Sequence, residues 1–284
     1  MIRSLPNSSV YNGAFKLYII VYFTFLFAPL LVTSVLAFND SQFPALPWKG
    51  FTLEWFTGNE PHRVGIFHDQ INLHSIWVSM RVAFFVTLFS TVVGTCGAFL
   101  FEHEEFRLKQ ALYFLMISPL VIPGVILGIS ILLFSTSLGV FFEDYLDLDL
   151  KLLRPGFWLV VLGQFSFIAT LVTLIVSARL KKFDHSLEEA ALNLGANRFE
   201  AIWLITLRFL RPAIIGAAAV GFLMSFENFN TTLFLVGSEA TLPINLYLQV
   251  RDGSTPVINA ISFLLIFGTS LAALANLYFS QREG

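Results

Sequence analysis

Glu227, Asn228 and Asn230 lie within the apolar stretch 213–236, where a carboxylate flanked by carboxamides is suited to meeting a cation. Desolvating a carboxylate is costly, so one placed there belongs on a bundle interior or on a transport path. A polyammonium solute that neutralises it would offset part of that cost. The competing role is an interhelical hydrogen bond. Nothing nearby completes a catalytic set: the chain has no HExxH, no Ser/His/Asp constellation at one membrane depth and no GxxxxGK[ST]. His62, His68 and His74 are spaced six residues apart, which does not put ligands on one helical face, so no metal site is expected. The single cysteine, Cys96, has no partner for an intrachain disulfide and reads as a small core residue.

The second stretch with chemical content is Glu188 to Pro212, polar and amphipathic between two very apolar segments. Ser186 followed by Glu189 fits a capping box. A helix starting there aligns Leu187, Ala190, Ala191 and Leu194 in one apolar stripe and leaves Glu188, Glu189 and Asn193 on other faces. Gly195 stands where a left-handed cap ends such a helix. Asn197 is then placed to cap a second short helix, with Phe199, Ile202, Trp203 and Thr206 on roughly one face and Arg208 and Arg211 near its end. Helix, glycine turn, helix is the geometry of a docking element.

These residues need a frame, and the composition says what kind. With 56% hydrophobic and 13% charged residues among 284, the chain is an integral membrane protein. The sequence has no basic tail and no dense Lys/Arg run, so no nucleic-acid partner is expected. Apolar runs predict six spans, near 15–38, 76–100, 111–135, 157–178, 213–236 and 257–279, in one domain over 1–284 with a loop at 179–212. The first run is too long and begins too late for a signal peptide and is read as a retained helix. Pro119, Pro123, Gly124 and Gly128 predict a kinked or broken third span, a candidate for lining a path. The 39–74 segment reads as an extramembrane loop with a short helix near Leu53, Glu102 to Glu105 as a solvated turn, and Arg81 as an interfacial anchor. With six spans, eleven Lys/Arg fall on the side of the termini and the 179–212 loop against five on the other. The positive-inside rule therefore predicts that both termini and that loop are cytoplasmic.

Glu189-Ala190-Ala191, Gly195 and Ile205-Thr206-Leu207 at this spacing resemble the EAA loop of ABC importer permeases, the motif that docks into a cleft of the ATP-hydrolysing subunit. The family usually has Pro after its Ile-x-Leu; here Arg208 stands there, so a less sharply bent exit is expected. Phe38 to Ser41, Pro47 to Thr52, Pro119 to Pro123 with Leu127-Gly128, Met224 to Glu227, and Leu242 to Ile244 with Tyr247 are similar to the second permease type of the spermidine/putrescine family. The resemblance implies an all-α membrane protein with the six-helix type I importer fold and cytoplasmic coupling helices, in a bacterial inner membrane. It implies three kinds of partner: an ATP-binding subunit dimer, a second homologous permease and an extracytoplasmic substrate-binding protein. ATP and Mg would reside on the ATPase, with no cofactor on this chain and no catalytic residue in it. On this resemblance Glu188, Glu189, Ala190, Ala191, Gly195, Ile205 and Leu207 are the docking residues, and Glu227, Asn228 and Asn230 the substrate path. An importer of another small solute, such as an amino acid or ferric iron, and a stand-alone secondary transporter remain alternatives.

Overall fold

A computed structural model describes residues 9–60, 63–253 and 255–280; His62 lies outside them, as do Arg3 and Arg282, two of the eleven basic residues counted on the side of the termini. The chain is helical almost throughout. In order come α1 (Ser9–Leu36), α2 (Glu54–Thr57), the two-residue strands β1 (Asn59–Glu60) and β2 (Arg63–Val64), α3 (Gln70–His103), α4 (Lys109–Val121), α5 (Gly124–Leu146) and α6 (Phe157–Leu180). Then follow α7 (Ser186–Asn193), α8 (Arg198–Ala201), a π-helical turn (Ile202–Thr206), α9 (Leu207–Phe226), α10 (Thr232–Leu235), α11 (Leu242–Gly253) and α12 (Val257–Ser280). Among the described residues, five helical stretches are long and apolar enough to cross a membrane: Tyr11–Leu36, α3, α5, α6 and Arg198–Phe226. The 24-residue α12 is a further apolar helix.

The chain forms two compact units, His74–Tyr247 and the remainder on either side of it. In the flanking unit α1 packs along α12, and Asn39 organises the segment after α1. Its buried carboxamide donates to the Ala45 and Pro47 carbonyls and accepts from the Lys49 N–H. The Asn39 carbonyl accepts from Trp55 Nε1 at 2.8 Å, which seats the short helix α2 where the sequence expects one near Leu53. The β1–β2 hairpin carries Arg63 back to Asp40 and Glu54.

In the central unit α6 is the axis. Its most apolar window is 61% buried inside the chain, against 22% for α3 and for the stretch ending in α9. Val160, Ile168, Val172, Val176 and Leu180 meet Val82, Val86, Leu210 and Ala217 in one core. Apolar tails drive no helix association in lipid, so small residues must let backbones approach. A Cβ on Gly94 would fall 2.8 Å from Val172 on α6, too close for any side chain. Cys96 is exposed on α3, a correction to its expected place in the core: Gly94 and Gly97, not Cys96, face α6. Arg81 rests over the Phe157 ring at 4.9 Å, the amphipathic packing expected of an anchor.

Two spans break, the third as its prolines predict and the fifth as a correction to the single helix expected there. The run 111–135 is not one helix: Pro123 lacks an N–H and forces Ile122 out of the helical region (φ −70°, ψ 131°), so α4 stops and α5 restarts and runs on to Leu146. Glu143 and Asp144 thereby lie on α5, and Arg154 beyond it pairs with Asp149 at 3.0 Å. The run 213–236 likewise breaks, α9 ending at Phe226 and a short α10 following. The two breaks meet. A Cβ on Gly128 would lie 2.7 Å from the Thr231 carbonyl, so only glycine lets α5 pass the 227–231 segment this closely.

Candidate functional site

The docking stretch folds as two short helices around Gly195, with a different capping scheme from the one expected. Ser186 is the first residue of α7, so its side chain cannot act as the cap, and the expected Ser186–Glu189 box does not form. Asp184 supplies the acceptor instead, taking the Ser186 N–H at 3.0 Å; its hydrogen bonds to Ser186 hold its carboxyl below the usual carboxylate range. At the other end the Gly195 N–H donates to the Leu192 carbonyl and the Ala196 N–H to Ala191, with Gly195 at φ +94°, which is a Schellman closure. The reciprocal box belongs to α8. Asn197 Oδ1 accepts from the Glu200 N–H and Glu200 Oε2 accepts from the Asn197 N–H, each at 2.9 Å. The signal was present in Asn197-x-x-Glu200.

The adjacent glutamates of the motif are separated by the fold. Glu188 is half-buried and its carboxylate accepts a hydrogen bond from the Thr206 hydroxyl, with His185 Nδ1 3.9 Å away. Glu189 is exposed, and its carboxylate takes no part in capping. Of the stripe, Leu187, Ala190 and Leu194 are exposed and Ala191 is half-buried, Leu194 being 89% exposed, and α7 has no buried residue. A cleft of about 310 Å³ opens between α7 and α8, lined by Glu188, Glu189, Leu192, Arg198 and Ile202 among others. Ile205 packs against the core, and Leu207 begins α9. The expected single face of the second helix is corrected: Thr206 is fully buried, whereas Phe199 and Trp203 stack on each other in the open. The wider π-helical turn at 202–206 rotates Thr206 off that face. After the turn α9 passes Arg208 and Pro212 without a break, in keeping with the missing proline.

The Glu102–Glu105 turn, expected to be merely solvated, braces the loop. Glu102 reaches Lys181 and Glu104 reaches Arg198, each at 3.6 Å, and the His103 ring meets that of His185 at 5.0 Å. Such exposed pairs are individually weak, about 0–1 kcal/mol, so they orient the loop more than they stabilise it.

Glu227, Asn228 and Asn230 come together at the break after α9, not inside a helix. Glu227 is the C-cap of α9 and is exposed on the surface of the chain. The negative end of a helix dipole disfavours a carboxylate, and its side chain has no hydrogen bond or ion pair among the described residues. Asn228 turns inward: its Oδ1 accepts from the Thr232 N–H and hydroxyl, the latter at 2.9 Å. Asn230 is exposed, and its Cβ is the near neighbour of Gly124 at the start of α5.

Sequence reasoning missed the residue that holds this break in place. Gln164, wholly buried on α6, donates to Thr232 Oγ1 at 2.8 Å and accepts from the Ser225 hydroxyl, which makes a chain Ser225–Gln164–Thr232–Asn228. A glutamine amid Val161, Phe167 and Ile168 was the available signal. Gln164→Leu leaves Ser225 and Thr232 buried without that partner, at an expected cost of about 1–3 kcal/mol. Thermal unfolding of the purified membrane protein checks this, and an unchanged Tm removes the network's structural role.

The family described as binding-protein-dependent transport system inner membrane component matches residues 94–282. The putrescine transport system permease protein PotI of Escherichia coli (strain K12) is 28% identical over 281 residues, 98% of this chain and 95% of that protein. The spermidine/putrescine transport system permease protein PotC of Haemophilus influenzae is 25% identical, covering 92% and 94%. The molybdenum transport system permease protein ModB of Mycobacterium bovis is 30% identical over 208 residues, 70% of this chain and 76% of that one. Among solved structures, a bacterial ABC transporter involved in the import of the acidic polysaccharide alginate shares the fold, with a TM-score of 0.66 at 12% identity over 98% of this chain and 99% of that one.

Proposed function

Because this chain belongs to the family of binding-protein-dependent transport system inner membrane components, we propose that it is the permease subunit of an ATP-driven importer of polyamines, spermidine or putrescine. It forms half of the translocation path, beside a second homologous permease. A separate ATP-binding subunit dimer hydrolyses ATP and an extracytoplasmic binding protein delivers the solute. The single observation that carries the solute class is Glu227, an unpaired carboxylate at a helix C-terminus where carboxylates are disfavoured. The relatives that align over nearly the whole chain carry putrescine and spermidine in their names, which supports the same class.

The largely exposed stripe of α7 and the exposed Glu189 support an ATPase-docking role for the loop, with Ala190, Ala191 and Gly195 giving it its shape. Glu189 supplies a carboxylate for a basic residue of the ATPase. The Lys/Arg asymmetry supports a cytoplasmic side for this loop and both termini. A molybdenum importer is the second reading, favoured by the molybdenum permease at 30% identity.

The test is ATP hydrolysis by the complex reconstituted with its binding protein, with spermidine, putrescine, an amino acid, ferric iron and molybdate offered in turn. Polyamines are expected to stimulate and the others not. Stimulation by molybdate alone leaves the importer fold and overturns the polyamine reading.

A further inference from the structure

The docking loop is joined to the membrane helix that follows it by the Thr206–Glu188 hydrogen bond, which spans eighteen residues of sequence. Thr206 is fully buried and Glu188 half-buried, so both ends of the bond are shielded from water. A threonine in a helix ordinarily returns its hydroxyl to the carbonyl one turn back. Here the hydroxyl goes to α7 instead, and the π-helical turn at Ile202–Thr206 is what aims it. The helix it reaches has no buried side chain of its own, so packing alone does not hold α7 in place. A hydrogen bond to an ionised carboxylate is about twice as strong as a neutral one.

We propose that Thr206 and Glu188 are a positioning pair that makes α7 follow the movement of α9, and so couples ATPase docking to the membrane path. The pair assigns separate roles to neighbouring glutamates: Glu188 clasps within the chain, while Glu189 is left for the partner. This inference rests on the importer reading above. Without the clasp α7 stays docked on the ATPase while α9 moves independently, and ATP is hydrolysed without transport.

The experiment uses the full complex in proteoliposomes, loaded with binding protein and spermidine, and measures solute moved per ATP hydrolysed. Thr206→Val keeps the shape and removes the hydroxyl; its ratio is expected to fall roughly three- to tenfold, with hydrolysis retained. Thr206→Ser restores the hydroxyl and is expected to restore the ratio. Glu188→Gln keeps an acceptor but loses the charge, and falls between them. Hydrogen exchange of the 186–193 amides in the same complexes is expected to quicken most in Thr206→Val, less in Glu188→Gln and not in Thr206→Ser.

A Thr206→Val complex with the wild-type ratio overturns the proposal. So does a Thr206→Ser complex as impaired as Thr206→Val, since packing would then be the cause. A wild-type complex whose hydrolysis responds to none of the solutes offered above instead overturns the importer reading, and the coupling role with it. The two failures are thereby distinguishable.

Discussion

Replacing Gly195 by Val is expected to abolish most solute uptake while the complex still hydrolyses ATP. Gly195 has φ +94°, where a β-branched residue is strained, and forcing the turn costs about 1–3 kcal/mol. The Schellman closure then opens, and α7 and α8 lose the relative angle that the Ala196 to Ala191 bond maintains. A Cβ at this position meets nothing within 4 Å of the chain itself, so the requirement is backbone conformation and not space. That distinction is measurable. If conformation governs, Asn, which tolerates a left-handed backbone, is mildest, Ala is intermediate and Val is worst. If the ATPase needs the space, Asn and Val are equally harmful and Ala is milder, and the backbone argument fails. Uptake and hydrolysis measured on the three reconstituted variants decide between the two orders.

Glu227→Gln is expected to lower polyamine uptake at least about tenfold, equivalent to roughly 1.4 kcal/mol of lost attraction between a carboxylate and an ammonium group. The substitution keeps the volume and removes the charge. No bond from the Glu227 side chain is present among the described residues, so folding of the chain and assembly of the complex are expected to survive. The physical setting strengthens the case. The C-terminal end of α9 is negative before the carboxylate is added, so a passing cation meets both the dipole and the charge. Glu227→Asp, which retains the charge on a shorter arm, is expected to keep more uptake than Glu227→Gln. Equal uptake by wild type and Glu227→Gln would remove Glu227 from the path.

The docking loop and the acidic break flank one helix. Thr206 is in the turn before α9 and Glu227 is its C-cap, so the docking loop and the acidic break are joined by the twenty residues of α9. Packing along α6 makes that helix a stiff connector: Leu210 and Ala217 are in the core, and Ser225 is tied to Gln164.

Much of this was present in residue types and spacing. Apolar runs determine spanning helices because backbone polar groups in lipid must be satisfied within the segment, a requirement independent of tertiary context. Gly195 and Asn197 likewise determined a turn and a cap, since both act through bonds to residues a few positions away. Pro123 pointed to a break for the same local reason.

What needed the tertiary structure was everything decided between segments distant in sequence. The end of α9 at Phe226 is held by Gln164, 61 residues from Ser225 and 68 from Thr232, and an apolar run carries no mark of such a partner. Which of two adjacent glutamates turns inward depends on a π-helical turn that rotates Thr206 toward Glu188, and spacing at 3.6 residues per turn assigns Thr206 to the wrong face. The Glu102–Glu105 turn reads as solvated until α3 is seen to end beside Lys181 and Arg198. Local hydrogen bonds and apolar length are properties of a segment and can be read from it; the direction a side chain faces is settled by its neighbours in space.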